Sequence, residues 1–123
     1  MLIAERACAA ADAARRYAVL FRGQSYRLGC DPPGVYVQDL MMRSHVHYVI
    51  NRLRACGAKV HILFAMDTRG CANSTLRERL VSWHDRESVR LVQPIVAASQ
   101  PQSVRASLNT FLPLAHEYDV LIM

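Results

Sequence analysis

Two apolar runs constrain this chain more than any other feature. Tyr17 to Arg22 (Tyr-Ala-Val-Leu-Phe-Arg) and Lys59 to Met66 (Lys-Val-His-Ile-Leu-Phe-Ala-Met) are continuous rather than alternating, the pattern of strands buried on both faces of a parallel sheet. Between them, Met42, Val46, Val49, Ile50 and Leu53 are spaced i, i+4, i+7, i+8, i+11, with Arg43, His47, Asn51 and Arg54 off that stripe. The spacing predicts an amphipathic helix over Gln38 to Cys56, closed by Gly57 as its C-terminal cap. Strand, helix, glycine and strand form a βαβ unit, whose two strands run parallel with their carboxyl ends on one edge.

The alternation continues downstream. Thr75 and Glu78 have capping-box spacing for a helix to about His84, and Ser88 to Gln93 reads as a third strand. Ser99 and Gln102, with Pro101 in the first turn, open a helix that carries Val104, Leu108, Phe111 and Leu112 and that Pro113 should kink or end. Tyr118 to Met123 reads as a last, strongly apolar strand. The expected fold is α/β, a Rossmann-like three-layer αβα sandwich with a mostly parallel sheet of about four strands. Residues 1–16 read as an N-terminal helix or tail and 17–123 as a single domain. Because a core strand comes last with no covering element, truncation at the C-terminus is expected.

A chain of 123 residues buries roughly two thirds of its unfolded surface on folding, enough for a core without a metal or a disulfide. Cys8, Cys30, Cys56 and Cys71 form no C-x-x-C pair and no zinc-knuckle spacing, so free thiols in the cytoplasm or another reducing compartment are expected. The Ala- and Arg-rich start is interrupted by Glu5 and Asp12 and reads as neither signal nor transit peptide, and no run is long enough for a membrane span.

The formal net charge is +5, and of the 15 basic residues only Lys59 is a lysine. Guanidinium groups suit phosphate and carboxylate, which favours an anionic ligand, although an arginine-rich coding bias gives the same count. The arginines are scattered, without basic runs or interleaved aromatics, which disfavours nucleic acid as a partner.

Gly23 to Gly34 holds three of the five glycines and the pair Pro32-Pro33 and reads as a long loop at the carboxyl end of the first strand, the edge where parallel sheets bind ligands. Its start, Arg22-Gly23-Gln24-Ser25-Tyr26-Arg27, offers a glycine for close approach, two guanidinium groups, and hydroxyl and amide side chains, a set suited to phosphate or sugar. Asp67, at the end of the second strand, stands where dinucleotide folds hold a ribose. The plainer readings stay open: Gly23 serves a turn, Arg22 and Arg27 are solvated, and Asp67 starts a turn to Gly70. Neither GxGxxG nor GxxxxGK[ST] is present. His45 and His47 point to nearly opposite faces of their helix, so no chelate forms, and no catalytic constellation or metal ligand set can be named.

The string Val19-Leu20-Phe21-Arg22-Gly23-Gln24-Ser25-Tyr26-Arg27, followed by Ser44-His45 on a helix, a glycine, a second strand, and later Tyr118-Asp119-Val120-Leu121-Ile122, resembles the N-terminal part of uncharacterised glycosyltransferase-like proteins of algae and large viruses. The resemblance implies a Rossmann-like domain that binds a nucleotide sugar, with Arg22, Gly23, Gln24, Ser25 and Arg27 at the ligand. In that family the Tyr-Asp strand leads toward an Arg- and Asp-bearing segment, so a divalent metal is implied only for a complete protein, and this chain alone is expected to be inactive. No other cofactor is indicated. The alternative is a non-catalytic α/β module that binds a nucleotide or a protein, with a homodimer or a missing C-terminal segment covering the last strand. A third reading is a small hydrolase or transferase whose cysteine or serine nucleophile meets its base only in the fold.

Overall fold

The computed structural model describes residues 15–24, 29–67, 74–95 and 99–123. In chain order these form β1 (Arg16–Gln24), α1 (Pro32–His45), a π-helical segment (Val46–Ile50), α2 (Asn51–Ala55), β2 (Lys59–Asp67), α3 (Ser74–Val81), a 3-10 turn (Arg86–Ser88), β3 (Val89–Val92), α4 (Gln100–Phe111), a 3-10 segment (Leu112–Glu117) and β4 (Val120–Ile122). The residues expected as an N-terminal helix or tail lie outside the described residues, apart from Arg15 and Arg16. The four strands make one sheet in the order β3-β2-β1-β4, and every pairing is parallel.

The continuous apolar runs become central strands because both faces are covered. On one face Tyr17, Val19, Val60, Ile62 and Phe64 pack with Met42, Ile50 and Leu80 from the α1, α2 and α3 side. On the other, Ala18, Leu20, Leu63 and Ala65 pack with Phe111 of α4. This is the expected Rossmann-like three-layer α/β arrangement. Ile62 and Leu63 are fully buried, each contributing about 1.5–3 kcal/mol relative to exposure.

The long helix differs from its expected course in two ways. It starts at Pro32, six residues before Gln38, because both prolines take the first helical positions after Asp31, where a missing N–H loses no helical bond and the fixed φ already suits a helix. The loop expected to reach Gly34 is correspondingly shorter. Gly34 lies in the first turn of α1, where a Cβ would stand 2.3 Å from the carbonyl oxygen of Gly29, so this glycine permits the incoming chain to cross the helix at contact distance. The wide π turn at Val46–Ile50 adds a residue to the helical repeat and keeps Ile50 fully buried while Val46 and Leu53 pack against the same core.

Two further boundaries move. α3 already includes Ser74, so Thr75 is inside the helix rather than its cap. Ser99, in contrast, caps α4 as expected, its side chain accepting from the N–H of Gln102, and Pro113 follows directly on the end of α4.

Polar contacts tie neighbouring elements together at their ends. Arg79 Nε of α3 lies 3.0 Å from both carboxylate oxygens of Asp39 on α1, and hydrogen bonds from Arg79 hold the Asp39 carboxyl below the usual range. At the amino end of the sheet, the Arg16 N–H donates to Asp119 at 2.8 Å while the Asp119 N–H donates to the Arg16 carbonyl at 2.8 Å. Beside them, Tyr118 Oη and His61 Nδ1 are in hydrogen-bond contact at 2.8 Å, and Arg90 pairs with Glu117.

The expectation of free thiols fails at both described cysteines: Cys30 and Cys56 are each disulfide-bonded. The inference of a reducing compartment loses its basis with it, and neither residue is a nucleophile in this state. Among the described residues, no helix is long and apolar enough to cross a membrane.

Adding a methyl group at Gly34 forces backbone against backbone, with no flexible side chain to give way. Gly34→Ala is expected to cost about 1–3 kcal/mol, the range of overpacking, measured as a lowered denaturation midpoint; an unchanged midpoint would contradict the packing described here.

Candidate functional site

In the strand order β3-β2-β1-β4 the chain moves outward from β1 through β2 to β3, then crosses back to the other side of β1. The connections follow suit: α1, α2 and α3 contribute to the core on one face and α4 to the core on the opposite face. The reversal falls between β1 and β4, and at such a switch point the connecting segments diverge and leave a crevice beyond the carboxyl ends of the strands.

A groove of about 940 Å³ occupies that position, within the size range of small-molecule sites. β4 pairs with β1 only over Tyr17, Val19 and the residue between them, whereas β2 accompanies β1 through Gln24. The last five residues of β1 thus have a described neighbour on one side only, and the groove opens along their other side. Its walls include Leu20, Arg22 and Gly23 of β1 and Ile122 and Met123 at the end of β4. α1 contributes Gly34, Gln38 and His45, and the first residue of α4, Gln100, also reaches it.

Of the residues singled out in the sequence, the groove gathers Arg22 and Gly23. Arg22 is exposed, and among the described residues its guanidinium has no ion-pair or hydrogen-bond partner. Gly23 has a φ of +88°, a backbone conformation that disfavours any side chain although the space beside it is open. Gln24 closes the strand in register with Asp67. Asp67 is buried, shares the sheet face of Leu63 and Ala65 by strand alternation, and is not part of the groove wall. Ser25 and Arg27 lie outside the described residues.

The groove also brings in residues that the sequence reading did not assign to a site: Gln38, His45 and Gln100. Gln100 could have been found from the Ser99 cap, since the first residue of a helix that follows a parallel strand lies at the ligand edge. His45 is exposed, with its ring edge-on to Phe21 at 5.5 Å between centroids. Its neighbour in the family-like string, Ser44, is exposed but is not part of the wall. Tyr118 and Asp119, the other part of that string, sit at the amino end of β4, opposite the groove, and hold β4 to β1 and β2.

Beneath the groove Phe21 stacks on Phe64 at 5.3 Å, and both rings contact His84. His84 Nε2 lies 3.3 Å from the sulfur of Met42. Burial, reinforced by the charge of Arg54, pushes the His84 imidazole down to about 4, so it is a neutral wall of the core at neutral pH. Burial also lowers His61 and raises Tyr118, consistent with the pair being neutral and structural.

The α1 N-terminus is a poor anion cradle, because Pro32 and Pro33 remove two of the N–H groups that a first turn would offer. Negative charge in this groove must be met by side chains, and Arg22 is placed to do so. Among the described residues, no group of three or more His, Cys, Asp or Glu could hold a metal ion, so the implied divalent metal does not fit them and no step is derived through it. The chain matches no protein-family model, no curated protein and no solved structure.

The depressed His84 value has a pH consequence. Because the folded state binds its proton only near pH 4 while the unfolded chain binds it near 6.5, folding stability is expected to fall as pH drops from about 6.5 to 4, with His61 acting in the same direction. Melting temperature against pH tests this: His84→Leu should flatten the decline, and an equal slope in both proteins would rule out His84 as its source.

Proposed function

We propose that the chain is a glycosyltransferase-like Rossmann domain whose groove between β1 and β4 takes up the diphosphate of a nucleotide sugar. The observation that carries this reading is the position of Arg22: an exposed guanidinium, without a partner among the described residues, on the wall of a groove at the switch point of a parallel sheet. A planar fork of donors pairs with phosphate oxygens in two-pronged fashion. Gly23 admits the ligand close to the backbone, and the amides of Gln38 and Gln100 can donate to or accept from sugar hydroxyls. The apolar share of the wall, from Leu20, Met41 and Ile122, gives a base or sugar face something to pack on. This assigns binding to the groove and no bond-making step to any residue.

A second reading, a non-catalytic α/β module that docks on another protein, draws on a separate observation. Tyr36, Leu40 and Tyr48 are large apolar or aromatic side chains exposed on the long helix and outside the groove wall, the type of surface that binding partners cover.

Titration of the purified chain with a nucleoside diphosphate sugar, read by thermal shift, separates the two. The transferase-like reading expects a saturable rise in melting temperature. In Arg22→Ala the affinity should fall by about 10- to 100-fold, the worth of one charge-assisted hydrogen-bonding group, while the ligand-free melting temperature stays near that of the parent. A flat titration, or one that Arg22→Ala leaves unchanged, would overturn it in favour of the docking module.

A further inference from the structure

We propose that the groove also takes up a phosphate ester carrying one apolar chain, with the phosphate at Arg22 and the chain running toward Val19 and Ile122. This rests on the phosphate contact of Arg22 proposed above and is independent of the nucleotide and sugar parts of that reading.

The groove changes character along its length. Because β1 and β2 are parallel, the helix between them starts at the carboxyl edge of the sheet and runs back toward its amino end. Gln38 therefore belongs to the same end of the groove as Arg22 and Gly23, whereas Val49 lines it about 16 Å farther along the helix. On the strand side, Val19 precedes Gly23 by about 13 Å and is paired with both Ile62 and Ile122.

Toward that far end the described wall is apolar. Val49 and Ile122 are partly buried there, and Met41 and Met123, also on the wall, are 53% and 50% exposed. With β1 paired on both sides at Val19, neither these side chains nor the strand backbone beside them offers a partner to the polar edge of a base or to a sugar hydroxyl. Such groups would lose water there without gaining a hydrogen bond. An alkyl chain loses nothing of the kind, and the unbranched thioethers can re-pack around it.

The charge on the wall supplies the other half of the ligand. Among the described residues the wall holds one guanidinium, that of Arg22, and no Asp or Glu side chain. One cation at one end and an apolar remainder complement an amphipathic anion, its head paired with the guanidinium and its chain removed from water.

Calorimetric titration of the full chain with ethyl, butyl, hexyl and octyl phosphate, below micelle-forming concentrations, tests the assignment. Each methylene that enters the groove should tighten binding about three- to fourfold, at one ligand per chain. Arg22→Ala should weaken hexyl and octyl phosphate by a similar factor. Met41→Asp combined with Met123→Asp, both at half-exposed positions, should flatten the dependence on chain length while the ligand-free melting temperature stays near that of the parent. Octyltrimethylammonium, with the same chain and the opposite charge, should not bind. Affinity independent of chain length, a dependence that survives the paired methionine substitutions, or equal binding of the cationic amphipath would overturn the proposal. A nucleoside diphosphate sugar titrated in parallel separates it from the function proposed above. Chain-length dependence beside a flat nucleotide-sugar titration overturns that reading and supports this one, and the converse result does the opposite. Where both ligands bind, octyl phosphate should displace the nucleotide sugar; independent binding would contradict a shared seat at Arg22.

Discussion

The parallel pairing of β1 with β2, in register from Arg16 and Lys59 to Gln24 and Asp67, is the constraint on which the rest of this structure depends. Once these two strands lie side by side and bury both faces, the chain must supply an apolar layer on each side, and it does so with α1, α2 and α3 on one face and α4 on the other. A one-residue slip would exchange Val19 and Phe21 for Leu20 and Arg22 between the two layers and drive a guanidinium toward the core. Register is thus fixed by the same side chains that form the core. The other two strands are subordinate: β3 pairs over a short, bulged stretch, and β4 is held at its amino end by Arg16 and Asp119.

The groove lies at the switch point between β1 and β4, and Arg22 and Gly23 reach its wall through their position near the carboxyl end of β1. The helix that packs over β1 begins with two prolines, which start it efficiently but withdraw N–H groups from its first turn. An anion entering the groove would then meet the side-chain charge of Arg22 rather than a full set of backbone N–H groups. The neutral His84 and the Phe21–Phe64 stack beneath it give this part of the groove a floor packed from below.

The central strands, the long helix and the cap of α4 were legible in the sequence because each rests on local chemistry: continuous apolar runs, a helical stripe and a Ser-Pro start. The start of α1 was misread because Pro32 and Pro33 are helix breakers everywhere except the first turn, and only the fold shows that they occupy it. Gly34 looked like loop flexibility but is a close-packing requirement set by Gly29, a tertiary contact no local pattern reports. The cysteines misled for the same reason, since their pairing depends on which chain segments meet. Of the site, Arg22 and Gly23 were recoverable from strand-end position, whereas Gln38 and His45 needed the placement of α1 against the sheet edge.

Hydrogen–deuterium exchange on the intact chain, with and without a nucleoside diphosphate, tests most directly the claim that the β1–β2 pair is both the spine of the fold and the base of the site. The slowest amides should lie in Tyr17 to Leu20 and Val60 to Ala65, and ligand should add protection at the carboxyl end of β1 and the first turns of α1. Fast exchange across β1 and β2, or ligand protection confined to β3 or to the amino end of the sheet, would contradict it.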